Sequence, residues 1–156
     1  MSALAAACDV VALREATLDD CEAIWAWNFA PDVRARSRRA DAVAYIEHAR
    51  WFARRLADGD APIWVIEDGG CPVGVVRIDP GGPGARGRIS IALAAHARGR
   101  GVGRAAIAAA CRSWRGPIVA EIFDDNYASR ACFAACGFRL VGSEAGLVTY
   151  HWDPET

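Results

Sequence analysis

The chain has 156 residues, enough for one domain with a substantial core. With 53% hydrophobic and 24% charged residues it is not a disordered segment, and a formal net charge of −1 argues against general nucleic-acid affinity. No apolar run is long enough to span a bilayer, so neither nucleic acid nor membrane is expected as a partner.

In chain order, the opening Met1-Ser2-Ala3-Leu4-Ala5-Ala6-Ala7-Cys8 resembles a secretion or lipoprotein signal only briefly. It lacks a basic stretch, and Asp9 ends its apolar run. Residues 1–9 read as a frayed leader, residues 1–156 as a single domain, and the expected location is cytoplasmic. Val10 to Arg14 predicts a first strand. Thr17 or Asp19 can cap a helix over Ile24, Trp25 and Trp27, which Pro31 interrupts. A second helix is expected from about Asp41 to Leu56, with Val43, Ile46, Ala49, Ala53 and Leu56 as its apolar stripe. Two apolar strands, Pro62 to Glu67 and Pro72 to Asp79, flank Asp68-Gly69-Gly70, a hairpin signal. The Pro80–Gly84 loop leads to a fourth strand (Ile89 to Leu93), a glycine-rich loop and a helix from Arg104 to Trp114. Then come a fifth strand (Ile118 to Phe123), a short helix ending at Gly137, and strands at Arg139 to Val141 and Leu147 to Trp152. Cysteines at 8, 21, 71, 111, 132 and 136 read as small, mostly buried thiols. Cys132 and Cys136 share a helix face, but no histidine lies near them in sequence, so no metal is expected.

The most informative stretch is Arg98-Gly99-Arg100-Gly101-Val102-Gly103. Its glycines allow tight turns and close backbone approach to a ligand. The helix start behind it adds unpaired N–H groups and a partial positive charge. With Arg98, Arg100 and Arg104 around it, the loop makes a cradle for phosphate, best matched to a pyrophosphate. No Gly-Lys-Ser/Thr follows, which argues against a P-loop. Gly101 to Ala106 also reads G-x-G-x-x-A, with Glu121 about 20 residues on, as in dinucleotide-binding folds. Against that, Ala94-Ala95-His96-Ala97 separates the strand from the glycines, and too little chain follows Glu121. The plain alternative is a glycine-rich connector.

Downstream, Asn126, Ser129, Phe133, Gly137 and Phe138 follow at fixed spacing. The two blocks together resemble the GCN5-related N-acetyltransferase superfamily. Its loop reads Arg/Gln-x-x-Gly-x-Gly/Ala, and its next block reads Asn-x-x-Ala/Ser-x-x-x-Tyr/Phe-x-x-x-Gly-Phe. The resemblance covers nearly the whole chain. It implies a mixed α/β fold: a mostly antiparallel sheet, splayed between strands 4 and 5 and flanked by about four helices. It also implies acetyl-CoA as donor and a primary amine as acceptor, reacting directly in a ternary complex. The donor contacts it implies are Ile91, Ala92, Leu93, Arg98, Gly99, Arg100, Gly101, Val102, Gly103, Arg104, Asn126, Ser129 and Phe133. In that scheme the backbone of Ile91 to Leu93 pairs with the pantetheine arm.

Acetyl transfer to an amine needs a neutral amine, a donor for the tetrahedral oxyanion and an acid for the departing thiolate. A backbone N–H near Leu93 is the oxyanion donor implied by the resemblance, with Asn126 close to the CoA arm. Asn also caps helices readily, and both roles are compatible. Phe133 stands where the family often has Tyr, so the acid is unassigned. Tyr127 is near the segment; Tyr45 and Tyr150 are the other tyrosines. Glu121 is the candidate base, ahead of His48, His96 and Asp124. Its plain reading is a strand carboxylate paired with an arginine.

The acceptor should be decided by the first half. Trp25-Ala26-Trp27-Asn28, Pro31-Asp32-Val33-Arg34, His48-Ala49-Arg50-Trp51-Phe52 and Gly74-Val75-Val76-Arg77-Ile78-Asp79 are distinctive. They resemble the superfamily branch that acetylates nucleotide-linked amino sugars in pseudaminic acid biosynthesis, except that no Arg separates Trp27 from Asn28. This implies Asn28, Arg34, His48, Trp51, Arg77 and Asp79 as acceptor residues. Trp51 or Trp25 would stack on a ring, and Arg34 and Arg77 would hold a diphosphate. His48, Trp51 and Arg55 also fit as flanks of a helix stripe. Protein N-termini and small-metabolite amines stay open as acceptors, and a homodimer stays open as the assembly. A non-catalytic acyl-CoA-binding regulatory module is the reading of a different class.

Overall fold

Seven apolar runs pair into one sheet in the computed structural model, which describes residues 10–30 and 44–155. The strands are β1 (Val11–Glu15), β2 (Ile63–Asp68), β3 (Cys71–Asp79), β4 (Gly87–Leu93), β5 (Ile118–Phe123), β6 (Arg139–Glu144) and β7 (Leu147–Trp152). Their order is β1-β2-β3-β4-β5-β7-β6. Every neighbouring pair is antiparallel except β4 and β5. The described residues hold four α-helices: α1 (Cys21–Asn28), α2 (Tyr45–Ala57), α3 (Val102–Trp114) and α4 (Tyr127–Ala135). None is long and apolar enough to cross a membrane. The expected leader, Cys8, Arg34 and the start of the second helix at Asp41 and Val43 lie outside the described residues.

Side chains alternate across each strand, so the sheet has two apolar layers. On one face Ile66, Val76, Ile78, Ile89, Ile118, Ala120, Ile122, Val148 and Tyr150 pack with the Ala106, Ile107, Ala110 and Cys111 face of α3 and with Phe133 of α4. On the other, Ile63, Val65, Val75 and Ala92 pack with Cys21 and Ile24 of α1 and Phe52 of α2. The N-terminal turn before α1 is held locally. The Thr17 N–H donates to Asp20 at 2.8 Å, and Arg14 donates through both terminal nitrogens to the same carboxylate at 2.9 and 3.0 Å.

The buried face of α2 differs from the expected stripe. Phe52 and His48 are buried, Ala49, Trp51 and Leu56 pack beside them, and Ile46 is 60% exposed. The helix has turned by about one residue. Fully burying a phenylalanine gains roughly 1.5–3 kcal/mol, which outweighs covering Ala53 and Ile46 instead. Among the described cysteines only Cys21 and Cys111 are fully buried, and Cys71 is exposed at the start of β3. β6 runs on to Glu144 because Gly142-Ser143-Glu144, which carry no strand signal of their own, pair with β7.

The feature that positions the site is the contact between β4 and β5. Only Gly87 with Ile118 and Arg88 with Val119 are in register. Beyond them the strands part, while β4 stays paired to β3 as far as Leu93 opposite Gly74. One edge of Ile89 to Leu93 therefore faces a gap.

Candidate active site

At the wide end of the gap, β4 leads through a short 3-10 turn (Ala95–Ala97) into the glycine loop and α3. Gly99 and Gly101 have φ of +74° and +81°, a region that side chains disfavour. A Cβ at either position would meet nothing within 4 Å, so the space over the loop is open. Gly101 caps α3, whose first N–H groups have no intrahelical acceptor. Val102 is buried and anchors the turn. Arg98 donates to the Leu93 carbonyl at 2.9 Å, Arg100 pairs with Asp68 at 2.9 Å, and Arg104 is exposed in the first turn. Open space, turned glycines and a helix start fit a phosphate-bearing donor.

On the far side of the gap, Asn126 caps α4: its Oδ1 accepts from the Ser129 N–H at 3.4 Å. That leaves its Nδ2 without an acceptor among the described residues. Phe133 is 3% exposed and meets Phe138 edge-to-face at 5.0 Å, as a core residue would. Of the tyrosines, Tyr127 is 72% exposed beside the Arg130 guanidinium. Tyr150 is buried, with its hydroxyl accepting from Arg130 Nε at 3.1 Å.

The face of β3 and β4 under α1 and α2 carries the residues expected for the acceptor. Asp79 Oδ1 accepts from Arg55 Nη1 at 2.5 Å and from Arg77 Nε at 3.2 Å. Trp51 has both guanidinium carbons near its ring, at 5.4 Å for Arg55 and 5.3 Å for Arg77. Arg77 is in register with Ser90, just inside the point where β4 and β5 part. Asn28 ends α1, half-buried.

His48 is placed differently. It is 2% exposed, its Nε2 lies 3.2 Å from the Cys21 carbonyl, and it stacks on Phe52. Burial, with Arg77 nearby, holds its imidazole below the ordinary range despite the hydrogen bond to Cys21. Neutral and enclosed, it ties α2 to α1 and presents no surface to an acceptor.

Glu121 faces the gap's narrow end, where its Oε1 lies 2.6 Å from Arg88 Nη1. His96 and Asp124 are exposed. Of the residues in this region, Arg88 carries no expectation from the sequence, and Arg55 is expected only as a helix flank. Arg88 shares a strand face with Ser90, and Arg55 lies one helical turn after Trp51; those periodicities were the available signals. No group of three or more His, Cys, Asp or Glu among the described residues could hold a metal ion.

The model of the acetyltransferase (GNAT) family matches residues 21–138, which include both sides of the gap. The chain belongs to that family. No curated protein matches it. Among solved structures, a ribosomal-protein-alanine N-acetyltransferase from Brucella melitensis is 25% identical, with 91% of this chain and 99% of that one covered and a TM-score of 0.76. A putative acetyltransferase, yncA, from Salmonella typhimurium, solved with acetyl-CoA, is 22% identical over 95% and 96% of the two chains, at a TM-score of 0.75. Spermidine N-acetyltransferase from Vibrio cholerae, in complex with CoA and spermine, is 16% identical over 90% and 92%, at 0.78; at that identity the likeness is one of fold.

The protein is thus an acetyl-CoA-dependent N-acetyltransferase of the GNAT type. An unpaired strand edge offers N–H and C=O groups to an extended, amide-bearing donor, as a neighbouring strand would.

Proposed function

We propose that this acetyltransferase acts on a nucleotide-linked amino sugar, by direct attack of its primary amine on the thioester in a ternary complex. The observation that carries this reading is the arrangement around the gap: a phosphate cradle at its wide end, and a face with two arginines stacked on a tryptophan beside its narrow end. The N–H groups of Gly99 to Arg104 bind the CoA pyrophosphate, and the free edge of Ile91 to Leu93 pairs with the pantetheine arm. A backbone N–H near Leu93, pre-aimed at the thioester oxygen, stabilises the oxyanion. Asn126 caps α4 and turns its Nδ2 toward the donor arm, with Ser129 beside it.

Glu121 takes a proton from the incoming ammonium through water. Phe133 has no proton to give, so the departing thiolate is protonated by solvent. Arg77 holds a diphosphate oxygen of the acceptor, helped by Arg34. The Trp51 ring is occupied by guanidinium groups, so stacking on the base or sugar falls to Trp25.

A thiol-release screen over UDP-amino sugars, peptides and small amines tests this. The expected result is turnover of a UDP-amino sugar at a kcat/KM at least about tenfold above the other classes. Brisk acetylation of a peptide N-terminus without any nucleotide acceptor would instead support a protein-acetylating role, the second reading suggested by the Brucella neighbour. Donor binding with no thiol release from any amine would leave a regulatory acyl-CoA-binding module.

A further inference from the structure

Arg55, Arg77 and Asp79 form a cluster with two positive charges and one negative. Their side chains are 15%, 26% and 31% exposed. Asp79 is shared: Arg55 reaches it through Nη1 and Arg77 through Nε. The remaining donors are unspent. Arg55 Nε and Nη2 are buried with no hydrogen-bond partner among the described residues. Neither terminal nitrogen of Arg77 has an acceptor among the described residues. Partly buried charges of this kind are ordinarily paired. Stacking on Trp51 offsets part of the cost, and water can satisfy a donor but cannot neutralise a charge. The neighbouring Glu121 carboxylate is already matched by Arg88, so it supplies no further anion to the cluster. Among the described residues, the cluster is one anion short.

We propose that this cluster is an anion clamp that selects the acceptor: it admits amines bearing a phosphate or carboxylate and turns away polycations. Arg77 presents its two terminal nitrogens as a fork, a geometry that suits a bidentate oxyanion. Asp79 and Trp51 hold that fork in place, and Arg55, which sequence periodicity assigned to a helix flank, supplies the second positive charge. The clamp rests on the acetyltransferase reading for the amine it serves. It does not require the acceptor to be a nucleotide.

The test uses the full chain saturated with CoA, so that added phosphate cannot report on the glycine loop. Inorganic phosphate should raise the unfolding temperature of this complex, and Arg77→Gln and Arg55→Gln should abolish the shift. Arg77→Lys, which keeps the charge and loses the fork, should retain part of it. In the kinetic arm, phosphoethanolamine should be acetylated with a kcat/KM at least about tenfold above ethanolamine, the effect of one charge-assisted bond. That ratio should fall toward one in Arg77→Gln, and spermidine should be a poor acceptor. Protection by phosphate without any preference among amines would mean a resident inorganic ion and overturn the selecting role. So would a preference for spermidine. If no simple amine is turned over, the thermal arm decides: no protection, or protection unchanged in Arg77→Gln, overturns the clamp. Selective turnover of anionic amines that carry no nucleotide would sink the nucleotide-sugar reading while leaving the clamp standing.

Discussion

Glu121 and Arg88 meet at 2.6 Å, carboxylate to guanidinium, at the place where β4 and β5 stop pairing. The pair closes the narrow end of the gap, and the arginine keeps the carboxylate beside the space that an amine must enter. Glu121→Gln keeps the shape and removes the charge. We expect it to lower kcat by about a hundredfold, within the usual range for a lost acid–base group, with donor affinity unchanged. Arg88→Gln should cost much less. Steady-state kinetics decides: equal and small losses from both variants would reduce the pair to a strut between strands.

Gly103 offers a cleaner probe of the donor cradle than its neighbours. Gly99 and Gly101 have positive φ, so any side chain there strains the backbone as well as filling space. A Cβ at Gly103 would touch only Leu93 Cδ1, at an ordinary 3.4 Å. Gly103→Ala should fold at least as well as the parent, because alanine is favoured over glycine in a helix by roughly 1 kcal/mol. If the donor backbone lies against this turn, calorimetry should show CoA affinity falling about tenfold or more in Gly103→Val. Unchanged affinity in the folded variants would remove the loop from the donor site.

Tyr127 is 72% exposed and rests on Arg130. A residue so placed has no fixed hold on a departing thiolate. Tyr127→Phe should therefore retain most of the parent kcat. A collapse of kcat with intact donor binding would identify it as the missing acid.

Arg14 holds the Asp20 carboxyl below the usual carboxylate range, chiefly through its hydrogen bonds. The folded state then keeps Asp20 charged at a pH where the unfolded chain has taken up a proton. This contribution is complete above about pH 4 and fades as the pH falls through the lowered value. Denaturant melts should show the stability gap between the parent and Arg14→Gln shrinking from pH 6 toward pH 3. A gap that stayed constant would assign the role of Arg14 to packing.

Strand alternation, the hairpin at Gly69-Gly70 and the helix behind Gly103 were legible in the sequence because each rests on local rules. The rotation of α2 was not, because Phe52 and Ala53 compete for the same core and only the β2–β4 face decides between them. His48 looked accessible for the same reason: its enclosure comes from Phe29 and Phe52 and from the carbonyl of Cys21, 27 residues away. Arg88 carried no expectation and Arg55 read only as a helix flank, because their meaning depends on Asp79 and Glu121, partners 24 and 33 residues distant along the chain.

The two-residue ladder between β4 and β5 also divides the molecule mechanically. β1 to β4 form one leaf and β5 to β7 another, and besides that short ladder and polar ties such as Arg88–Glu121 they are joined through α3, whose Ala106, Ile107 and Ala110 lie in the layer shared by both leaves. Such a sheet has a seam with α3 as its spine. A donor lying in the seam would stitch the leaves together, so slowed amide exchange along both lips, Ser90 to Leu93 and Ala120 to Phe123, would record its arrival as a gain in stiffness before any acetyl group moves.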